Sequence, residues 1–164
     1  MAMKKAEAKS AEAQLDCFLE AYSPEVAGMA RKALATLRRR LPNAIELVYD
    51  NYNALACGFG PNDRASDVIF SIAVYPKHIN FFFLQGAKLP DADGLLQGDG
   101  SRVRYVRLED EKTLDRADVK AMMTTAMKMA KVPFDKSVSY KLVIKSVSAK
   151  QRPRRPAPAK AKKK

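Results

Sequence analysis

Histidine and cysteine are scarce in this chain. It has one His and two Cys among 164 residues. His78 sits in a short connection, Pro76-Lys77-His78, between two apolar runs. No serine or cysteine can be paired with it as a nucleophile by any pattern, and no metal-hydrolase spacing exists. Cys17 and Cys57 lie far apart and form no ligand pattern, which argues against a zinc module or a disulfide framework. Both read as small buried hydrophobes. Long apolar runs are missing as well: none reaches the roughly 18 residues of a membrane-spanning helix. The first residues, Met-Ala-Met-Lys-Lys-Ala-Glu-Ala-Lys, hold no apolar segment of signal-peptide length. The expected location is the cytoplasm, with no membrane partner. With no nucleophile, base or cofactor motif in view, the chain is read as a non-enzymatic binding domain.

Acid is absent from the last twenty residues. Residues 145–164 carry nine Lys or Arg and no Asp or Glu. The net charge of +12 is concentrated there, because the remaining residues hold 21 basic and 18 acidic groups. The body is nearly neutral. The reading is a disordered N-terminus over 1–11, a folded domain over 12–147 and a disordered basic tail over 148–164. In that tail Arg152, Arg154, Arg155, Lys160, Lys162, Lys163 and Lys164 could meet nucleic-acid phosphates. No aromatic residue follows Tyr140, so base stacking is excluded; such binding would be non-specific and lost with salt. A solubilising tail explains the same residues.

The body shows two periodicities. Leu15, Phe18, Leu19 and Tyr22 recur at helical spacing, as do Val26, Met29, Ala30, Ala33, Leu34, Leu37 and Leu41. Ser23-Pro24-Glu25 is a helix start and Pro42 a stop. From Ile45 the period is two: Ile45, Leu47 and Tyr49 alternate with Glu46, Val48 and Asp50. Strands are expected near 53–59, 66–75, 79–84, 102–108 and 139–147, with a third helix after Asp115, its expected N-cap. Consecutive strands with short connections predict a two-layer α+β fold, a largely antiparallel five- or six-stranded sheet with helices on one face. Phe81-Phe82-Phe83 is apolar toward both faces. That leaves the second face to be covered by loop 86–101, by the last strand, or by a second copy in a homodimer.

Three groups of polar residues are candidate sites. Glu12, Asp16 and Glu20, four residues apart, stack along one helix face and could offer oxygen ligands to a cation; a solvated face is the plainer explanation. Arg102 and Arg104 share one strand face, with Lys77 and Lys88 close in sequence, and could receive an anion; pairing with Asp91, Asp93 or Asp99 competes with that. Tyr49, Asp50 and Asn51 open a polar aromatic turn that could line a small-ligand pocket, although Asn and Asp favour turns unaided. Asp91-Ala-Asp93-Gly94 is no calcium loop, since Arg102 stands where that loop requires glutamate.

Several stretches carry a resemblance. Leu41-Pro42 is followed by Glu46 and Tyr49, then Tyr75-Pro-Lys-His-Ile-Asn-Phe-Phe-Phe-Leu-Gln-Gly86, Gly94-Leu-Leu-Gln-Gly98-Asp-Gly100 and Val103-Arg-Tyr-Val-Arg-Leu108. Over roughly residues 15 to 130 the chain resembles the YdhG-like family of small bacterial domains of unknown function. The resemblance implies a frataxin-like shape. It also implies, through one family member proposed as an iron chaperone, weakly bound iron, for which Glu12, Asp16 and Glu20 would be the ridge. The chain departs from the family at Tyr49-Asp50-Asn51-Tyr52, where many members read Tyr-Gly-Met-Pro.

Overall fold

A computed structural model describes residues 10–91 and 94–156. Helix α1 (Ala11–Glu20) begins at Ser10, whose hydroxyl accepts a hydrogen bond from the Ala13 N–H at 3.1 Å. Helix α2 (Pro24–Arg40) begins at Ser23 in the same way, with Pro24 at a position whose missing N–H leaves nothing unpaired. Its apolar stripe, Ala27, Ala30, Ala33, Leu34 and Leu37, is buried.

Six strands follow the period-two segments: β1 (Ile45–Asp50), β2 (Leu55–Gly60), β3 (Phe70–Val74), β4 (Ile79–Phe83), β5 (Arg104–Leu108) and β6 (Lys141–Val147). Helix α3 (Ala117–Met129) lies between the last two. They form one sheet in the order β5-β4-β3-β2-β1-β6. The first five strands pair antiparallel in succession, whereas β6 pairs parallel with β1. The sheet is therefore mixed, and the fold is α+β. The parallel pair has a simple cause. Four reversals leave β5 running in the direction of β1; α3 carries the chain back, so β6 sets off in that direction again.

The helix side of the sheet carries a continuous row, Ile144, Val48, Cys57, Ile72, Phe81 and Val106, joined strand to strand by the register. It packs with Leu15, Leu19, Leu34, Leu37, Val119 and Met123 from the helices in one core cluster. Phe81 and Phe83 are fully buried on this side, while Phe82 faces the other way, half-buried against Tyr105 with ring centroids 5.3 Å apart. The chain's own aromatics thus cover part of the second sheet face, the face on which the homodimer expectation drew. Val68 covers more of it; a Cβ at Gly58 would lie 3.0 Å from its Cγ1.

Local boundaries moved where a turn or a partner overrode periodicity. Residues Ala65–Asp67 form a 3-10 turn, so the third strand starts at Phe70 rather than Ser66. Asp115 does not cap α3. It closes a 3-10 turn, Thr113–Asp115, and its carboxylate takes the Arg40 guanidinium from α2; Arg116 stands at the cap. Cys57 is buried as expected, but Cys17 is exposed on α1. Among the described residues no helix is long and apolar enough to cross a membrane.

Two carboxylates on the helix side of β1 are buried. Glu46 is fully buried; Arg38 reaches both of its oxygens, at 2.8 and 3.2 Å, and the Tyr140 hydroxyl donates to it at 2.6 Å. Three donors satisfy a charge that would otherwise be costly to remove from water. Asp50, at the other end of β1, meets Arg154 at 2.8 Å.

Candidate anion-binding cleft

A concavity opens where α3 ends. Its volume is about 470 Å³, within the range of small-molecule sites. Three stretches build it. The loop before β3 supplies Ser66, Asp67, Val68 and Ile69. The turn after β4 supplies Lys88 and Leu89, with Arg102 beside it. The end of α3 supplies Ala126, Met129, Ala130, Lys131 and Val132.

Close backbone packing fixes the cationic wall. Gly86 opens a 3-10 turn, Gly86–Lys88, pressed against β5: a Cβ there would lie 2.6 Å from the Arg104 Cβ, a clash that only glycine avoids. The Ala87 N–H then donates to the Arg102 carbonyl at 2.8 Å. These contacts hold Lys88 and Arg102 near one another, and Lys131 enters from the α3 side. No ion pair found among the described residues involves Lys88, Arg102 or Lys131. Asp67 is the one acid of the lining, and it accepts from the Asn62 side chain at 2.9 Å. Leu89 and Ile69 are buried beneath, whereas Met129 (43%) and Val132 (40%) are exposed.

Of the arginines singled out in the sequence, Arg102 belongs to this cleft and Arg104 does not. Arg104 lies on the helix side of β5, and its guanidinium donates to the carbonyls of Gly100 and Val103. The competing expectation of pairing with Asp91 is also not met. Asp91 accepts from the N–H groups of Leu95 and Leu96, each at 2.8 Å, and so folds its own loop. Asp93 lies outside the described residues. Sequence reasoning did not find Lys131, Met129 or Val132. Pro133 signals a helix end, but no local pattern shows that this end abuts the turn at Gly86.

At the turn expected to line a pocket through Tyr49, Asp50 and Asn51, the chain itself fills the Asp50 side, whereas Asn51 lines an open concavity of about 380 Å³ together with Tyr52, Tyr75 and Phe82. Arg154, only 7% exposed, donates to the Asp50 carboxylate and to the Asn51 and Tyr52 carbonyls. The Ser148 N–H and the Gln151 side chain both donate to the Asp50 carbonyl, and the Arg152 N–H donates to that of Tyr52. The Arg154 guanidinium also lies 5.7 Å from the Tyr22 ring centre. The Tyr22 phenol is pushed up to about 12, chiefly by burial, with Arg154 pulling the other way. Tyr49 is half-buried, and its hydroxyl has no hydrogen-bond partner among the described residues.

These contacts correct two expectations. The segment 148–155, read from sequence as part of a disordered tail, is bonded to the domain. Arg154 is not open to phosphate, and Arg155 caps α1 by donating to the Glu20 and Ala21 carbonyls, each at 3.1 Å. Arg152 is exposed. Lys160, Lys162, Lys163 and Lys164 lie outside the described residues.

The acidic stripe is on the exposed side of α1, as its spacing implies, but its members are not equivalent. Asp16 is held by Arg31 of α2 at 2.7 Å, in a pair exposed to solvent. Among the described residues, no group of three or more His, Cys, Asp or Glu is placed to hold a metal ion. His78 is not an idle turn residue either. It stacks on Tyr75 with ring centres 4.6 Å apart, and burial, with Arg107 nearby, lowers its pKa.

Comparison with known protein families, with curated proteins and with solved structures finds no match to this chain.

Proposed function

We propose that the chain is a non-enzymatic binding domain whose cleft at the end of α3 receives a small anionic ligand. One observation carries this reading: Lys88, Arg102 and Lys131 come from three separate segments to one concavity and enter no ion pair found among the described residues. Three cations against the single carboxylate of Asp67 leave a positive local potential, and a bound anion relieves it. All three cations are exposed, so each contact contributes little by itself and is screened by salt. Modest affinity that weakens with ionic strength is expected.

Titration calorimetry with inorganic phosphate at low salt tests the reading. The Arg102→Glu/Lys131→Glu variant should lose the binding heat, whereas Lys120→Glu, an exposed change elsewhere on α3, should keep it. Equal heats in all three proteins would refute the assignment. Iron binding on α1 would have to draw on Glu12 and Glu20 with Asp16 already held by Arg31. Nucleic-acid binding would have to rely on the tail lysines without Arg154. Neither alternative gains a supporting contact.

A further inference from the structure

We infer that the ligand of this cleft is an amphiphile, a singly charged headgroup on an unbranched apolar body; the inference rests on the anion-binding reading above. Cations make up only part of the lining. Beside them stand Val68, Ile69, Leu89, Met129 and Val132 with two alanines, and the polar Ser66, Asp67 and Gln85. Large exposed hydrophobics number four among the described residues, and two of them, Met129 and Val132, line this cleft. A lining that offers both cations and apolar side chains is complementary to a molecule that carries both a charge and an apolar body.

The lining also argues against other anions. It contains no aromatic side chain, so a nucleotide base would find nothing to stack on. Asp67 lies in the same lining, and its carboxylate opposes a ligand carrying several negative charges. Met129 is unbranched and adaptable, and can follow a flexible chain. The concavity favours a free molecule over a bilayer surface, because a flat membrane cannot enter it.

The test is a series of alkyl carboxylates, acetate through decanoate, kept below their micelle concentrations and titrated against the full chain. Each added methylene buried against the apolar wall should tighten Kd about fourfold until the cleft is filled. Val132→Ser, which removes apolar surface at an exposed position without adding charge, should flatten that series. Arg102→Ala should weaken every member alike, by about fivefold. Thermal melts confirm that each variant is folded. If Kd does not change along the series while phosphate still binds, the amphiphile inference fails and the anion reading survives. If neither phosphate nor any carboxylate binds, both fail. Tighter binding of adenosine monophosphate than of decanoate would also overturn the inference. So would sedimentation with phosphatidylglycerol vesicles by a protein that ignores decanoate.

Discussion

Replacing Arg154 by methionine tests whether the chain beyond β6 belongs to the fold. Methionine keeps much of the apolar stem but removes the guanidinium. Asp50, 5% exposed, would then lie buried without its partner, and the Asn51 and Tyr52 carbonyls would lose their donor. Breaking a buried pair from one side costs about 3–5 kcal/mol. That is a large part of the roughly 5–15 kcal/mol that holds a domain together. Urea denaturation should show the midpoint falling with the slope unchanged. The Arg154→Met/Asp50→Asn double variant should recover part of the loss, because it leaves no lone charge. A loss below about 0.5 kcal/mol, the range of ordinary surface changes, would mean that Arg154 is solvated and that the segment is a tail after all.

Three further outcomes follow from single contacts. Tyr140→Phe removes the 2.6 Å donor to fully buried Glu46 and should cost about 1–3 kcal/mol in chemical denaturation; a neutral result would show that Arg38 alone satisfies the carboxylate. Gly86→Ala drives a Cβ into the Arg104 Cβ and should cost about 1–3 kcal/mol, while Gly100→Ala, with nothing within 4 Å, should be nearly neutral. His78 has a lowered pKa in the folded chain, so unfolding takes up a proton. Its contribution to stability is intact above the ordinary value of about 6.5 and is lost as pH falls through the lowered folded value. His78→Asn should reduce the decline in urea midpoint between about pH 7 and 5; an unchanged decline would assign that slope to the carboxylates.

Much of the fold was legible because local rules and tertiary packing agree. Ser23-Pro24 supplies both a capping hydroxyl and a helical φ, and the alternation through Phe70, Ile72 and Val74 matches a strand. The register places those three together on the helix side, whereas Val68, which the same alternation assigns to their face, packs over Gly58 on the opposite one. Where the two disagree, the sequence misled. Alternation along Ile45 to Asp50 would send the carboxylates of Glu46 and Asp50 to water. Both lie buried instead, because Arg38 arrives from α2 and Arg154 from more than a hundred residues later. No local pattern encodes such a partner. The same limit explains the tail: Arg154 and Arg155 look like any basic cluster until the turn at Asp50 and the end of α1 supply their acceptors. The candidate site was half visible. Arg102 and Lys88 stand close in sequence, but Lys131, Met129 and Val132 join them only through the packing of α3.

Two-dimensional amide NMR with decanoate added stepwise tests the binding account most directly. The largest shifts should fall on Ile69, Lys88, Leu89, Arg102, Lys131 and Val132, the residues that line the cleft, and should disappear in Arg102→Glu/Lys131→Glu. Shifts centred on the Asp50–Ala54 turn or on the exposed face of α1, or none at all at saturating ligand, would contradict it.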